Sequence, residues 1–415
     1  MTLQRRAWLV LAVSSALYLL YVLVWHPAGF SDVSVYRAEA EALRDGPDLY
    51  GPLPGVHGLG TYPPFAAAVF TPLLLVPGDV AGLLSLPVNL ALLVVASYLS
   101  LRRLSAPVDL RVAVPLLAAV ALWCEPVMSS NGFGQINLLI LCLVLWDFSL
   151  PEDSRWRGVG IGLAAALKVT PGIFIVYLLV TRRFRAALGA VVTLLVTMVV
   201  SAVLAPSSTW AYWTHHVFDP ARVGRLENSL NQTVRGWIVR ATHTLDTGAL
   251  GTVATVVVAV AGLAAAAYCC RRLGDTWGLL VAALTGLLMS PISWSHHWVW
   301  CVPLLALAWY EARALLLPTL LVFWTHVVRL VPHGDHIELD LGTGWIALSG
   351  WYVVYAAAFM VGAVVAARSR VSRISRFPRT VGGAVPDFTA GCPSTLERTW
   401  VSGSGVSARS WRVRR

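Results

Sequence analysis

Long apolar runs occupy most of the chain, and short polar segments rich in arginine separate them. A membrane-crossing helix needs about 20 predominantly apolar residues, so the pattern predicts an all-α polytopic membrane protein. It predicts a bundle of about twelve transmembrane helices with both termini cytoplasmic, because every arginine pair then falls on the inner side. The predicted spans are 7–25, 64–101, 112–128, 135–150, 158–168, 171–181, 186–206, 249–270, 277–292, 298–311, 314–331 and 345–367.

Two regions of this pattern are irregular. The segment 64–101 is too long for one helix, and Pro77-Gly78 predicts a break within it. The runs 158–168 and 171–181 are too short to cross separately, so we predict a hairpin within the bundle, with Lys168 near its tip. Irregular backbone at membrane depth is tolerated only inside protein or around a cavity.

Two longer polar segments are predicted on the outer side, at about 26–63 and 206–248. In the first, Val33, Tyr36, Ala40 and Leu43 recur at helical spacing, which indicates an amphipathic helix from Asp32 to Arg44. Both segments are interpreted as amphipathic elements along the membrane surface.

The end of the chain differs in composition from the rest. We assign residues 1–367 to one membrane domain, and we predict a disordered basic cytoplasmic tail over 368–415, in contact with anionic lipid.

Composition narrows the class further. Hydrophobic residues make up 57% of the chain and charged residues only 13%, about half the usual share in soluble proteins, which excludes a soluble enzyme with one anchor. The net charge of +10 comes from arginine clusters between apolar runs, so it indicates membrane topology and not nucleic-acid binding. Five of the six cysteines lie in or beside apolar stretches and predict neither disulfides nor a metal site.

The polar chemistry gathers on the predicted outer side. Asp32 follows the first span closely, where a carboxylate near the bilayer surface can act as a general base. A solvated loop residue or a helix N-cap is the structural alternative, and the cap and base roles are compatible.

Cationic groups on the same side suit a phosphate. Lys168 is the only lysine, and a buried ammonium needs an anionic partner, either phosphate or a protein carboxylate. The pair His296-His297 suits phosphate binding or proton transfer, although interfacial polar residues among tryptophans are the structural alternative. Arg235 is a further phosphate candidate.

Amide and phenol side chains suit sugar hydroxyls. Asn131 and Gln135 lie in a glycine-flanked turn, and Asn231-Gln232 precedes Arg235. Helix caps and surface turns explain such amides equally well. The candidate residues for sugar or acceptor binding are Tyr36, Tyr62, Asn131, Gln135, Asn231 and Gln232.

Six motifs in order resemble the actinobacterial polyprenol-phosphate-mannose-dependent α-(1→2)-mannosyltransferases, glycosyltransferase family 87 of the GT-C superfamily. The resemblance covers about residues 5–367 and excludes the tail. The motifs are Ser31-Asp-Val-Ser-Val-Tyr36, Thr61-Tyr-Pro-Pro-Phe65, Asn131-Gly-Phe-Gly-Gln-Ile-Asn137, Ala166-Leu-Lys-Val-Thr-Pro171, Asn231-Gln-Thr-Val-Arg-Gly236 and Ser290-Pro-Ile-Ser-Trp-Ser-His-His-Trp298.

The resemblance implies a GT-C type bundle and an inverting transfer of mannose from polyprenyl phosphomannose. The implied acceptor is a cell-envelope glycolipid or lipoglycan on the outer face of the plasma membrane, and the implied catalytic base is Asp32. Lys168, Arg235, His296 and His297 are then the groups that stabilise the leaving phosphate. We predict no metal and no cofactor, because the outer segments lack a carboxylate cluster for a hard cation.

Other functions remain compatible with these residues. A transporter or flippase for a lipid-linked sugar would use the same cations but would not need a base at Asp32. A related transferase would use another polyprenyl phosphosugar, such as arabinofuranose or glucose. A membrane scaffold does not account for the outward polar motifs.

Overall fold

The computed structural model of the chain describes residues 1–25, 30–46, 48–53, 55–56, 59–105 and 107–375. Within those ranges the regular structure is helical, with nineteen α-helices, short 3₁₀ turns and no strand. The all-α prediction is therefore confirmed. The large apolar core lies among the helices of the bundle and contains residues from α1 through α19.

The helices are named here in chain order. The first ten are α1 Leu3–Trp25, α2 Ser31–Asp45, α3 Pro64–Phe70, α4 Gly78–Arg102, α5 Leu110–Ala121, α6 Glu125–Phe133, α7 Asn137–Ser149, α8 Val159–Leu167, α9 Ile173–Val180 and α10 Phe184–Leu204. The others are α11 Pro206–Thr214, α12 Val234–Thr242, α13 Gly248–Leu273, α14 Asp275–Met289, α15 Cys301–Tyr310, α16 Leu316–Trp324, α17 Val327–Leu330, α18 Thr343–Ser349 and α19 Trp351–Ser375.

Six helical segments in the described ranges are long and apolar enough to cross a membrane, which establishes a polytopic membrane protein. They are Leu3–Val24, Gly78–Arg102, Phe184–Leu204, Gly248–Leu273, Arg313–Leu330 and Trp351–Ser369. A seventh is obtained if α5 and α6 together form one bent span. The count of twelve spans stays a prediction.

The predicted span 112–128 is not one straight helix. Helix α5 ends at Ala121, and α6 begins at Glu125 with a bend of 74° between them. Pro126 lies in the first turn of α6, where its missing N–H leaves no helical bond broken. The bend takes Glu125 out of an apolar span and into the interior of the bundle, where it is fully buried.

The predicted break in 64–101 is present, and 158–181 forms two short helices as predicted, whereas their arrangement as a hairpin stays a prediction. A 3₁₀ segment, Thr71–Leu75, follows α3, and α4 begins at Gly78 after an extended Pro77. Helices α8 and α9 are short, and Lys168 follows α8 in an extended conformation, with φ −156° and ψ 128°. The backbone therefore leaves its helix at the lysine, and the side chain is placed at the turn between α8 and α9.

Helix α2 has the amphipathic face that the sequence predicts. Val33, Tyr36 and Ala40 are buried, and the Tyr36 ring stacks on Phe70 of the α3 end with centroids 4.2 Å apart. Leu43 is half-buried. This packing fixes the first turn of α2, which carries Asp32.

Helix α19 extends to Ser375, beyond the predicted domain boundary at residue 367. Residues 376–415 of the predicted tail lie outside the described residues, so the division into membrane domain and tail stays a prediction.

Candidate functional site

A cavity of about 500 Å³ lies where the first turn of α2, the turn after α8 and the 290–297 loop converge. Such a volume is typical of small-molecule sites, which lie mostly between 300 and 1,000 Å³. Five of the sequence-predicted residues line it: Asp32, Tyr62, Gln135, Lys168 and His297.

Asp32 occupies the first turn of α2, where the helix dipole favours a negative charge. Its Oδ1 accepts a hydrogen bond of 2.6 Å from Nε2 of Gln135, and its Oδ2 accepts one of 3.4 Å from Ser31 Oγ. Burial raises the pKa of Asp32 to about 6, although the charge of Lys168 and these hydrogen bonds act in the opposite direction. The carboxylate is ionised at neutral pH and is a stronger base than an exposed aspartate.

Gln135 is oriented by two tyrosines. Its Oε1 accepts hydrogen bonds of 3.1 Å from the hydroxyls of Tyr36 and Tyr62, which leaves its Nε2 to donate to Asp32. Tyr36 is fully buried behind the cavity and does not line it. Tyr36 therefore positions the amide from behind the cavity, and its contact with a sugar or acceptor stays a prediction.

The turn before Gln135 requires a glycine. Gly134 has φ 71°, and a Cβ at this position would lie 2.3 Å from Cγ2 of Val33 on α2. Because Gly134 has no side chain, its turn packs directly against Val33 in the first turn of α2. Gln135 is held there by a backbone bond of 2.8 Å to Ser130 and by Asn89, whose amide donates to its carbonyl.

Lys168 and His297 form a single polar group. The Lys168 ammonium lies 2.8 Å from Nε2 of His297 and 3.2 Å from Oδ1 of Asn137, and it lies 5.5 Å from the Tyr62 ring centroid. Burial lowers the pKa of Lys168 to about 8, with Asp32 acting in the opposite direction. Burial and the Lys168 charge hold the pKa of His297 well below its ordinary value.

These pKa directions favour one assignment of the hydrogen-bond roles. A neutral His297 accepts at Nε2 from the charged lysine and carries its own proton on Nδ1. An ammonium has three protons, and two are directed at His297 and Asn137. The third is free to meet an anion in the cavity.

His296 contacts His297, with ring centroids 4.8 Å apart, but it forms no hydrogen bond to Lys168 in the described part of the chain, and its role in phosphate binding stays a prediction. Its ring packs against Phe133 with centroids 5.2 Å apart and does not line the cavity. Successive residues of the 3₁₀ turn Ser295–Trp298 point in different directions, so only His297 faces the cavity. The backbone carbonyl of His296 accepts from Asn137 Nδ2 at 2.9 Å, which fixes the turn.

Asn231 and Gln232 hydrogen-bond to protein groups that support the 290–297 loop. Asn231 Oδ1 accepts from the backbone N–H of Ser293, and its Nδ2 donates to the Leu226 carbonyl. Gln232 bonds to the Ser349 carbonyl and the Tyr352 N–H. Both side chains are fully buried and hydrogen-bonded to protein groups outside the cavity lining, and their sugar-binding role stays a prediction.

Arg235 and Asn131 lie elsewhere. Arg235 is in the first turn of α12 and passes close to Gly251 of α13, outside the cavity lining. Asn131 lines a separate, mainly apolar pocket of about 200 Å³ with Tyr18 and Leu86. Neither residue reaches Asp32 or Lys168 through the cavity, because their elements turn them to other faces of the bundle.

Several buried carboxyl groups escaped the sequence reasoning, and two of them support the site. Glu125 accepts from Ser129, Ser295 and Arg329 through Oε1 and from the Tyr352 hydroxyl through Oε2. In the sequence, Glu125 is a lone carboxylate followed by Pro126 inside an otherwise apolar run, and this pattern could have identified it. Its contact with Ser295 ties α6 to the loop that carries His297.

Glu39 is the second buried carboxyl. Its Oε1 accepts from the backbone N–H groups of Thr61 and Tyr62, at 3.0 and 3.5 Å. Burial raises the pKa of Glu39 to about 8, so the group is mainly protonated at neutral pH. Glu39 holds the segment of Thr61 and Tyr62, and this segment places the Tyr62 hydroxyl beside Gln135.

The remaining cavity lining comes from three sources. The α9 and α14 side is apolar, with Val169, Ile173, Val176, Gly286 and Met289. The end of α11 and the segment after it supply a wall of polar and apolar residues. Ile292 and Trp294 of the 290–297 loop complete the lining. Among the described residues, no group of three or more His, Cys, Asp or Glu side chains is placed to hold a metal ion.

Comparison with known proteins gives a consistent family. The model of glycosyltransferase family 87 matches residues 61–291. A polyprenol-phosphate-mannose-dependent alpha-(1-2)-phosphatidylinositol mannoside mannosyltransferase of Mycobacterium tuberculosis is 32% identical over 396 residues, 88% of this chain and 91% of that protein. A polyprenol-phosphate-mannose-dependent alpha-(1-2)-phosphatidylinositol pentamannoside mannosyltransferase of the same species is 39% identical, over 72% of this chain and 70% of that protein.

A more distant similarity is partial. An alpha-(1->3)-arabinofuranosyltransferase of Mycobacterium tuberculosis is 31% identical over 164 residues, 38% of this chain and 37% of that protein. No solved structure matches the chain.

Proposed function

This chain belongs to glycosyltransferase family 87, and we propose that it transfers mannose from a polyprenyl phosphomannose donor to a phosphatidylinositol mannoside or a related cell-envelope glycolipid. The two mannosyltransferases that resemble it over most of its length support this donor and this class of acceptor. The observation that carries the proposal is the presence of the Asp32 carboxylate and the Lys168–His297 pair in one cavity with an apolar side.

Asp32 is the proposed general base. An acceptor hydroxyl attacks the anomeric carbon of the mannosyl group from the face opposite the phosphate, and its proton passes to the carboxylate. The bond between the anomeric carbon and the phosphate oxygen breaks, and the electron pair leaves with the polyprenyl phosphate. Configuration at the anomeric carbon is inverted, and no general acid is needed, because phosphate is a good leaving group.

Lys168 stabilises the negative charge that develops on the departing phosphate. The ammonium has two described protein acceptors for its three protons, so one proton remains to meet the phosphate. Nδ1–H of His297 is a second donor on the same pair. Gln135 keeps the base in place while the phosphate group is held at the lysine.

The apolar side of the cavity suits the polyprenyl chain. Val169, Ile173 and Val176 line it from the turn before α9 and from α9, and Met289 lines it from α14. Val176 is 42% exposed, so this side is open to the surrounding apolar phase. The isoprenoid chain stays among apolar groups while its phosphosugar head meets the polar residues.

We assign the cavity to the extracytoplasmic face and both termini to the cytoplasm. Arg103 of the α4 end and Arg183 before α10 both pair with Asp275 of α14, at 2.6 and 2.8 Å. These basic helix ends therefore meet on one side, where cytoplasmic arginines are expected. Asp32 comes after the C-terminal end of α1 and Lys168 after that of α8, and the N-terminal ends of both helices adjoin arginines.

The test uses purified protein in lipid nanodiscs with radiolabelled polyprenyl phosphomannose and a phosphatidylinositol mannoside acceptor. Labelled glycolipid should form with the native chain and fall below about 1% of that rate with Asp32→Asn. Asp79→Asn, an exposed aspartate in the first turn of α4, is the matched control and should retain activity.

Two results would overturn the proposal. Transfer from polyprenyl phosphoarabinofuranose but not from polyprenyl phosphomannose would assign the chain to the other sugar. Movement of intact donor between leaflets without product would make it a transporter.

A further inference from the structure

One wall of the cavity has no part in the chemistry proposed above. It is formed by the end of α11 and the segment that follows, from Tyr212 to Val223, together with Trp294. Asp32, Lys168 and His297 account for the base and the phosphate, and the α9–α14 side accounts for the polyprenyl chain. A second polar wall beside the reacting groups indicates a second ligand.

His216 is one of the side chains in this wall with unused hydrogen-bonding groups. Its ring lies against Tyr50, with centroids 4.7 Å apart, and neither nitrogen bonds to a protein group in the described part of the chain. Burial and the neighbouring Arg222 lower the pKa of His216 below its ordinary value. The neutral ring presents one donor and one acceptor.

Asp219, an exposed residue, also has an unused acceptor atom. Its Oδ1 accepts from the backbone N–H of Ala221 at 3.1 Å and caps the following turn. Its Oδ2 has no hydrogen-bond partner among the residues described. A neutral imidazole and a carboxylate together match a pair of sugar hydroxyls, each of which donates and accepts.

Trp294 adds an aromatic surface with an N–H donor. The backbone of Trp294 bridges to Asn231, which fixes its position in the wall. Gly224, with φ 146°, approaches the indole so closely that a Cβ there would lie 2.4 Å from Cζ2. The indole is therefore held between the chain and the cavity, and an amphipathic ring is well suited to the apolar face of a pyranose.

The wall is held in place before any ligand binds. Arg222 donates to the carbonyls of Tyr50 and Gly60 at 2.6 and 3.2 Å, and its guanidinium lies over the Tyr50 ring. These bonds join the wall to the segment that continues to Thr61 and Tyr62. Preorganised polar groups lose less entropy on binding a ligand than mobile ones.

The same segment is suited to a ligand that stays in the membrane. Trp210 and Phe218 are 71% and 76% exposed, and Phe218 lies between the cavity-lining residues Val217 and Asp219. Exposed aromatic side chains concentrate at the level of lipid headgroups. A glycolipid anchored beside them would present its sugar to His216 and Asp219.

We propose that His216, Asp219 and Trp294 form the subsite for the acceptor sugar, a mannosyl residue on a membrane-anchored glycolipid; this inference rests on the proposed function. The subsite holds the acceptor hydroxyl near Asp32 and does not contact the donor phosphate.

The kinetic test compares His216→Ala and Asp219→Asn with two matched controls. Asn at residue 219 still accepts the N–H of Ala221, so the turn is preserved. The controls are His215→Ala, the exposed neighbouring histidine, and Asp246→Asn, an exposed aspartate that caps the turn at Gly248 in the same way. The site variants should raise the KM for the acceptor about tenfold and leave the donor KM within twofold, whereas the controls change neither.

A binding measurement separates this inference from the proposed function. Saturation-transfer NMR with methyl α-mannoside should detect binding to the native chain and to Asp32→Asn but not to His216→Ala or Asp219→Asn. If that pattern appears without any transfer, the subsite stands and the proposed reaction fails. If transfer occurs but the variants change neither the acceptor KM nor probe binding, or change the donor KM instead, the subsite is wrong.

Discussion

The Lys168 ammonium and Nε2 of His297 lie 2.8 Å apart, although 129 residues separate them along the chain. Asn137 braces both sides of the contact, because its Oδ1 accepts from Lys168 and its Nδ2 donates to the His296 carbonyl. Among the described residues, Lys168 contacts a neutral imidazole and an amide and forms no ion pair. Its positive charge therefore stays available for a ligand. The pair therefore acts as one anion-binding unit.

We expect Lys168→Met and His297→Ala each to lower kcat/KM for the polyprenyl phosphomannose donor by about 10²–10³, because each removes a preorganised donor to the leaving phosphate. The double variant should resemble the worse single variant, since groups that act as a unit are not additive. Steady-state kinetics of labelled transfer measure both effects. Arg235→Met, a cation outside the cavity, is the control. Multiplicative losses in the double variant would show that the two side chains act independently.

The pH profile of kcat/KM for the donor should be bell-shaped. Asp32 acts in its ionised form, so activity rises as the pH passes through about 6. Lys168 acts as a cation, so activity falls as the pH passes through about 8. Lys168→Arg should remove the alkaline limb and keep the acid limb, because a guanidinium stays protonated throughout this range. An alkaline limb that persists in Lys168→Arg would assign it to another group.

Glu39 makes stability depend on pH. Burial raises its pKa from 4.5 to about 8, so its contribution to stability is fully present below pH 4.5 and is lost as the pH rises towards 8. Glu39→Gln keeps the acceptor for Thr61 and Tyr62 but cannot ionise. Its melting temperature should exceed that of the native chain increasingly from pH 5 to 8, as measured by thermal unfolding in detergent. Glu41→Gln on the exposed side of the same helix should show no such trend.

Glu125 supports both the fold and the site. Glu125→Ala leaves Arg329, Ser295 and Tyr352 without their shared acceptor, and removing one partner of a buried ion pair costs about 3–5 kcal/mol of unfolding free energy. We expect a lower melting temperature and a loss of transfer activity, because Ser295 precedes the histidine pair. Arg329→Met combined with Glu125→Ala should recover part of the loss. A double-variant cycle without coupling would contradict the network.

The sequence was sufficient for the features that depend on local pattern. The long spans, the break at Pro77-Gly78 and the buried face of α2 follow from apolar periodicity and proline chemistry, which act over a few residues. Asp32, Lys168 and His297 could be predicted from the sequence, because a charged or titratable group beside an apolar run is costly unless it has a structural or functional partner.

Other site residues were beyond the sequence because their direction depends on tertiary packing. The amides of Asn231 and Gln232 have the same chemistry as Gln135, but they face backbone groups instead of the cavity. His296 and His297 are neighbours, and only the 3₁₀ turn decides which faces the lysine. The bend before Glu125 likewise depends on what the two helices pack against.

Lys168 is the only lysine in the chain, so its ammonium and the N-terminal amine are the only primary amines. The lowered pKa of Lys168 gives it a larger neutral, nucleophilic fraction near pH 8 than an ordinary lysine has. An acylating reagent applied at that pH therefore modifies the reaction centre at one defined atom. The mass added at Lys168 would measure the fraction of free active sites. Protection of Lys168 by lipid phosphates would measure the fraction that is occupied.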